Sequence, residues 1–127
     1  MLVAKGDDLR QRRGRTAERL AELHVLAAGL QVVARNFRCR AGELDLICSD
    51  GRYLVVVEVR QRSRREFGGP LASIGGPKQR RISRTTEYFR LCSQQWADRP
   101  VRFDVVAVLG EPDAEHELIW IRDAFRV

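Results

Sequence analysis

Gly42-Glu43-Leu44-Asp45-Leu46-Ile47-Cys48-Ser49-Asp50-Gly51-Arg52-Tyr53-Leu54-Val55-Val56-Val57-Glu58-Val59-Arg60-Gln61-Arg62 reads as two β-strands joined by a tight turn, with carboxylates set among aliphatic residues. Asp50-Gly51 is a strong two-residue hairpin signal. That loop sets Ser49 opposite Arg52, Asp45 opposite Val56 and Glu43 opposite Glu58. Side chains alternate between faces, so Glu43, Asp45, Val56, Glu58 and Arg60 share one face. Asp45 and Glu58 become diagonal neighbours, roughly 7–8 Å apart at the backbone. One residue more or fewer in the loop would send the two acids to opposite faces. Burying carboxylates in a sheet is costly unless something positive pairs with them, and a divalent metal ion is the natural candidate. The alternative places Glu43 and Glu58 at the sheet rim, paired with nearby arginines. Two glutamates directly opposite repel, a conflict between pattern and stability that is expected at a functional site.

A chain of 127 residues is one domain with a modest core. No apolar run reaches membrane-span length, and Met1 to Asp8 lacks the apolar core of a signal peptide, so a cytoplasmic location is expected. Cys39, Cys48 and Cys92 are far apart, and His24 and His116 are isolated, which argues against a zinc site or a disulfide framework. The net charge is +6, a balance that favours polyanions, nucleic acid above all. The positive residues form three groups: Arg10, Arg12, Arg13, Arg15 and Arg19; Arg60, Arg62, Arg64 and Arg65; and Lys78, Arg80, Arg81 and Arg84. The second and third flank the acids, which places the expected nucleic-acid contacts at Arg62, Arg64, Arg65, Lys78, Arg80, Arg81 and Arg84.

Outward from the hairpin, residues 1–13 read as a flexible basic arm and 14–127 as a single domain. Ala17, Leu20, Ala21, His24, Ala27 and Ala28 recur at helical spacing, and Gly29 suits the C-terminal cap. Glu18 falls on the border of that apolar stripe; a favourable charge near the helix N-terminus and a functional carboxylate both account for it. Residues 30–38 read as a strand. Tyr53 to Val59 is apolar on both faces except at Glu58, as in a central strand covered on each side by helices. Residues 61–76 form a long polar loop, expected to be a binding loop or flap. Pro77 opens a second helix with Ile82, Thr85, Thr86, Phe89, Cys92, Ser93 and Trp96 as its inner stripe. Lys78 in its first turn opposes the helix dipole, which points to an anion-binding surface. Val101 to Leu109 and Glu117 to Arg122 are the last strands. The order α-β-β-β-α-β-β predicts an α/β domain with a mixed sheet of about five strands flanked by helices.

Several motifs carry a family likeness in the same order and at compatible spacing. These are Asn36-Phe37-Arg38, Gly42 to Ile47, Val57-Glu58-Val59-Arg60, Phe67-Gly68, Lys78, Arg102 to Val106, and Trp120 to Phe125. From about Gly14 to Phe125 the chain resembles the bacterial YraN-like family, related to the restriction-endonuclease-like, PD-(D/E)xK nucleases and the Holliday-junction resolvases. The resemblance implies that fold, a metal-dependent endonuclease acting on DNA, branched or structured DNA included, and Mg²⁺ (or Mn²⁺) as cofactor. It carries the first-helix glutamate onto Glu18, the aspartate of the motif onto Asp45 and the D/E-x-K element onto Glu58-Val59-Arg60. Asp45, Glu58 and Glu18 are then the expected metal residues, with Arg60 and Lys78 completing the catalytic set. Arginine stands where the nuclease motif has lysine, and a guanidinium cannot act as a general base. A non-catalytic nucleic-acid-binding protein that retains the fold is the rival reading. A two-fold homodimer follows by analogy with the resolvases.

Overall fold

The computed structural model describes residues 5–62 and 74–127, with side chains from residue 10 onward. The elements run α1 (Lys5–Ala27), β1 (Gln31–Cys39), β2 (Gly42–Ser49), β3 (Leu54–Arg62), α2 (Gly76–Leu91), α3 (Gln94–Ala97), β4 (Val101–Gly110) and β5 (His116–Phe125). The five strands lie in chain order in one sheet, antiparallel except for β3 against β4. A parallel pair needs a long crossover, and the chain between β3 and β4, with α2 and α3, supplies it. The expected mixed α/β architecture is thus present, with the one-turn helix α3 added to it.

β3 is central and covered on both faces. Leu54 and Val56 point to the side of α2 and α3, where Leu44, Ile47, Ile82, Trp96, Phe103 and Val105 pack together. Val55 and Val57 point to the other side, where Ala21, Val25, Leu46, Cys48 and Val106 pack under α1. Full burial of each such aliphatic side chain contributes roughly 1.5–3 kcal/mol, so these two layers hold the sheet between its helices.

Three expectations need correction. α1 begins at Lys5, so most of the segment read as a flexible arm is helical. Arginine and glutamine are good helix formers even without burial, and Arg13 adds an ion pair of 3.1 Å to Glu111 beyond the end of β4. The buried stripe of α1 is Ala17, Ala21 and Val25, leaving His24 exposed, edge-on to Trp120. Cys92 is exposed rather than part of an inner stripe, because α2 stops there and Trp96 reaches the core from α3. Arg90 fixes that break by donating to the carbonyl oxygens of Trp96, Ala97 and Arg99. The expected flap falls largely on residues 63–73, and with Arg64 and Arg65 it lies outside the described residues.

The hairpin register also differs. Ser49 pairs with Leu54 and Leu46 with Val57, so the turn holds four residues, Asp50 to Tyr53, rather than two. Asp50 explains it: its Oδ1 accepts from the backbone N–H groups of Arg52 and Tyr53, replacing the tight turn by one closed through a side chain. A shift of two residues preserves the face of every side chain. The paired stretch ends at Leu46–Val57, immediately before Asp45 and Glu58.

Candidate functional site

Beyond Leu46–Val57 the regular ladder between β2 and β3 stops. Leu46 packs in the α1 layer, yet Leu44, two residues away, packs in the α2 layer. β1 does the same: Arg35 reaches Glu22 on α1, whereas Phe37 meets Tyr88 and Phe89 on α2. Both strands therefore roll over at Asn36 and Asp45. Asn36 makes this possible with φ 49, a left-handed conformation that asparagine tolerates better than most side chains. Asp45 sits where β2 and β3 part, and its Oδ2 accepts from the Val59 N–H at 2.9 Å in place of a ladder bond.

Asp45 and Glu58 open into one cleft of about 340 Å³, whose walls include Glu43, Lys78, Arg81 and Thr85. The Glu58 side chain is 5% exposed, and its Oε1 lies 3.8 Å from Lys78 Nζ. Its Oε2 is buried without a hydrogen-bond partner. Burial, then the charge of Asp45, pushes the Glu58 carboxyl up to about 8. Burial likewise raises Asp45 to about 6, against the lowering effect of the Val59 N–H. Lys78 lowers both but does not prevail, because its side chain is 46% exposed and its ammonium stands at the outer limit of an ion pair. Lys78 alone thus does not offset the burial of the two carboxyls.

The other expected residues surround this pair. Glu18 lies more than three turns into α1, too far from the N-terminus for the helix dipole to account for it. It accepts from Asn36 Nδ2 at 3.0 Å and lines a second cleft, on the α1 side of Asp45, close enough to raise the Asp45 pKa. Among the described residues no three acids, histidines or cysteines group closely enough to hold an ion. Asp45 and Glu58 share one cleft, whereas Glu18, expected as a third metal residue, lines the adjoining one with Asp45 and does not group with the pair. Glu43 is ion-paired to Arg38 at 3.3 Å. Arg60 follows Glu58 on β3; its Nε is buried without a partner, and burial lowers its pKa. Arg81 shares the cleft wall with Lys78, Arg80 and Arg84 are exposed on α2, and Arg62 ends β3 with Nη1 on the Gln61 carbonyl oxygen.

Two buried acids were missed by sequence reasoning. Glu22 on α1 receives Arg35 through Nε and Nη2 at 2.7 and 2.9 Å and Arg19 at 3.2 Å. The hydrogen bond from Arg35 holds it below the usual carboxylate range. Asp104 on β4 is fully buried, bonded to Arg102 through two nitrogens, to Trp120 Nε1 and to the Asp123 N–H. Both acids are satisfied by hydrogen bonds, unlike Glu58. A charged residue inside an apolar strand was the available signal at Asp104; at Glu22 it was an acid beside the Ala17, Ala21 and Val25 stripe.

Such a pair of buried carboxylates at a fork in a mixed sheet, rimmed by basic residues, defines a small α/β protein with a charged cleft at the parting of two strands. The sequence matches the model of "Uncharacterised protein family UPF0102" over residues 17–108, and the chain belongs to that family. A UPF0102 protein of Dechloromonas aromatica is 49% identical over 124 residues, covering 98% of this chain and 97% of its own length. One of Pseudomonas entomophila is 46% identical over 112 residues, covering 88% and 91%. Another, of Pseudomonas fluorescens, is 43% identical over 115 residues, covering 91% and 94%. No helix among the described residues is long and apolar enough to cross a membrane.

Proposed function

We propose that this protein is a metal-dependent endonuclease that hydrolyses phosphodiester bonds in DNA, branched or structured DNA included. One observation carries the reading: Asp45 and Glu58 converge in a single basic-rimmed cleft, with one Glu58 oxygen buried and unbonded. Two hard oxygen donors suit Mg²⁺ or Mn²⁺, since Mg²⁺ commonly takes one or two carboxylates and completes its shell with water and phosphate oxygens. When bound, such an ion polarises a phosphoryl oxygen and lowers the pKa of coordinated water. Asp45, held by the Val59 N–H, and Glu58, held in place by burial, both line this cleft. Glu18 orders water beside Asp45 from the adjoining cleft. Lys78 and Arg81 offset charge that builds on the phosphate. Arg60 adds a fixed positive charge without acting as a base. Arg62, Arg80 and Arg84 bind the nucleic-acid backbone, which confers little sequence preference.

Arg60 favours a second reading, a non-catalytic nucleic-acid-binding protein, because a guanidinium occupies the position of the nuclease lysine. One experiment separates the two. Branched, flapped and linear labelled DNA are incubated with Mn²⁺ and either wild type or Asp45→Ala. Cleavage by wild type alone supports hydrolysis. Binding without cleavage moves the conclusion to the second reading, and equal cleavage by Asp45→Ala removes Asp45 from the chemistry.

A further inference from the structure

The first arginine group, on α1, has no part in the cleft shared by Asp45 and Glu58. Two of its members meet β1 across a second cleft of about 260 Å³, lined by Arg15, Glu18, Arg19, Glu22, Arg35 and Asn36 together with Asp45 and Leu46. Asp45 belongs to both clefts. The second is layered by depth. The Glu22 side chain, at the bottom, is 7% exposed, whereas Arg19 and Arg35 are 65% and 59% exposed at the mouth. Arg35 uses Nε and Nη2 on Glu22, and Arg19 uses Nη1. Among the described residues this leaves Arg35 Nη1 and two nitrogens of Arg19 without a hydrogen bond, and Arg15 lines the same cleft.

The three acids of this cleft balance the three guanidiniums in number, so depth and bonding decide what a ligand meets. Glu22 accepts three bonds from Arg35 and Arg19, Glu18 accepts from Asn36, and Asp45 accepts from Val59. Arg35 is 59% exposed and its guanidinium is already fixed in plane by two bonds to the buried Glu22, so little of its side-chain freedom is lost when an oxyanion binds. A phosphate matches such a fork in geometry as well as charge.

Resting on the phosphodiester reading above, we infer that this cleft is a second phosphate subsite. Arg15, Arg19 and Arg35 bind a backbone phosphate of the nucleic acid on the α1 side of Asp45, across from Lys78 and Arg81. The strand then crosses Asp45 with a basic wall on either side. Glu22 is a positioning residue that holds the guanidiniums in place.

The test is fluorescence anisotropy of labelled single-stranded and duplex DNA in EDTA at several salt concentrations. Wild type is compared with Arg15→Ala/Arg19→Ala and with Arg126→Ala, an exposed arginine in neither cleft. Both α1 arginines are exposed, and Arg35 alone still holds Glu22 through two nitrogens, so the double variant is expected to keep its fold. The double variant is expected to bind about tenfold more weakly, with the logarithmic salt slope on duplex shallower by about one, the value for one lost phosphate contact. Arg126→Ala is expected to bind as wild type does. Unchanged affinity and slope in the double variant, with wild type binding DNA, overturns the subsite and leaves the hydrolase reading intact. An equal loss in Arg126→Ala also overturns it, because net charge would then suffice. Absence of DNA binding by wild type overturns the subsite and the nucleic-acid reading together.

Discussion

Replacing Glu58 by glutamine keeps the shape of the side chain and removes the charge that the cleft fails to neutralise. Burial raises the Glu58 carboxyl from 4.5 to about 8. At about 1.4 kcal/mol per pH unit this amounts to about 5 kcal/mol of proton-linked stability. The side chain is 5% exposed, so solvent screening removes little of it. The sign follows from the direction. The folded chain holds this proton more tightly than the unfolded chain does. The contribution is complete below pH 4.5, declines as pH rises toward about 8, and is gone above that. Asp45, raised to about 6, acts in the same sense over a lower window. Urea denaturation of wild type and Glu58→Gln, with Mg²⁺ absent, measures the difference. Between roughly pH 5 and 9, wild type should lose about 3–5 kcal/mol more than the variant, a large share of the 5–15 kcal/mol of an ordinary domain. Mg²⁺ at the higher pH should restore stability to wild type and not to the variant. Parallel stability curves for the two proteins would refute the argument that Glu58 is a buried, undercompensated acid.

Asp104→Ala strands Arg102, Trp120 Nε1 and the Asp123 N–H, and thermal or urea denaturation should show a loss of about 3–5 kcal/mol. Gly110→Ala should cost about 1–3 kcal/mol by the same measurement, because φ is 98 there and a Cβ would lie 2.6 Å from the Glu115 carbonyl oxygen at the β4–β5 turn.

Much of this structure was legible in local sequence, and the residues show where legibility ended. The run Tyr53 to Val59, apolar except at Glu58, announced a central strand, and the two packed layers on either face agree. The register was read two residues short because the Asp50 side chain, not the backbone alone, closes the turn. The even shift kept Asp45 and Glu58 together, so the candidate pair survived the error. Strict alternation, however, gave no warning that β1 and β2 roll over at Asn36 and Asp45. That roll depends on one left-handed residue whose side chain bonds to a distant helix. Glu22 escaped for a related reason: its partner Arg35 is 13 residues away, on another element. In α1, helical periodicity located the apolar side but was rotated by about one residue, toward His24 instead of Val25. Straight-chain polar residues in the first turns carry no burial signal, so the start at Lys5 was not visible.

The central claim is that Asp45 and Glu58 bind one divalent cation between them. Isothermal calorimetry with Mn²⁺, near pH 8, on wild type, Asp45→Ala and Glu58→Gln tests it most directly. One site in wild type, lost or weakened at least tenfold in each variant, is the predicted result. An undiminished site in both variants, or no binding to wild type, would contradict it.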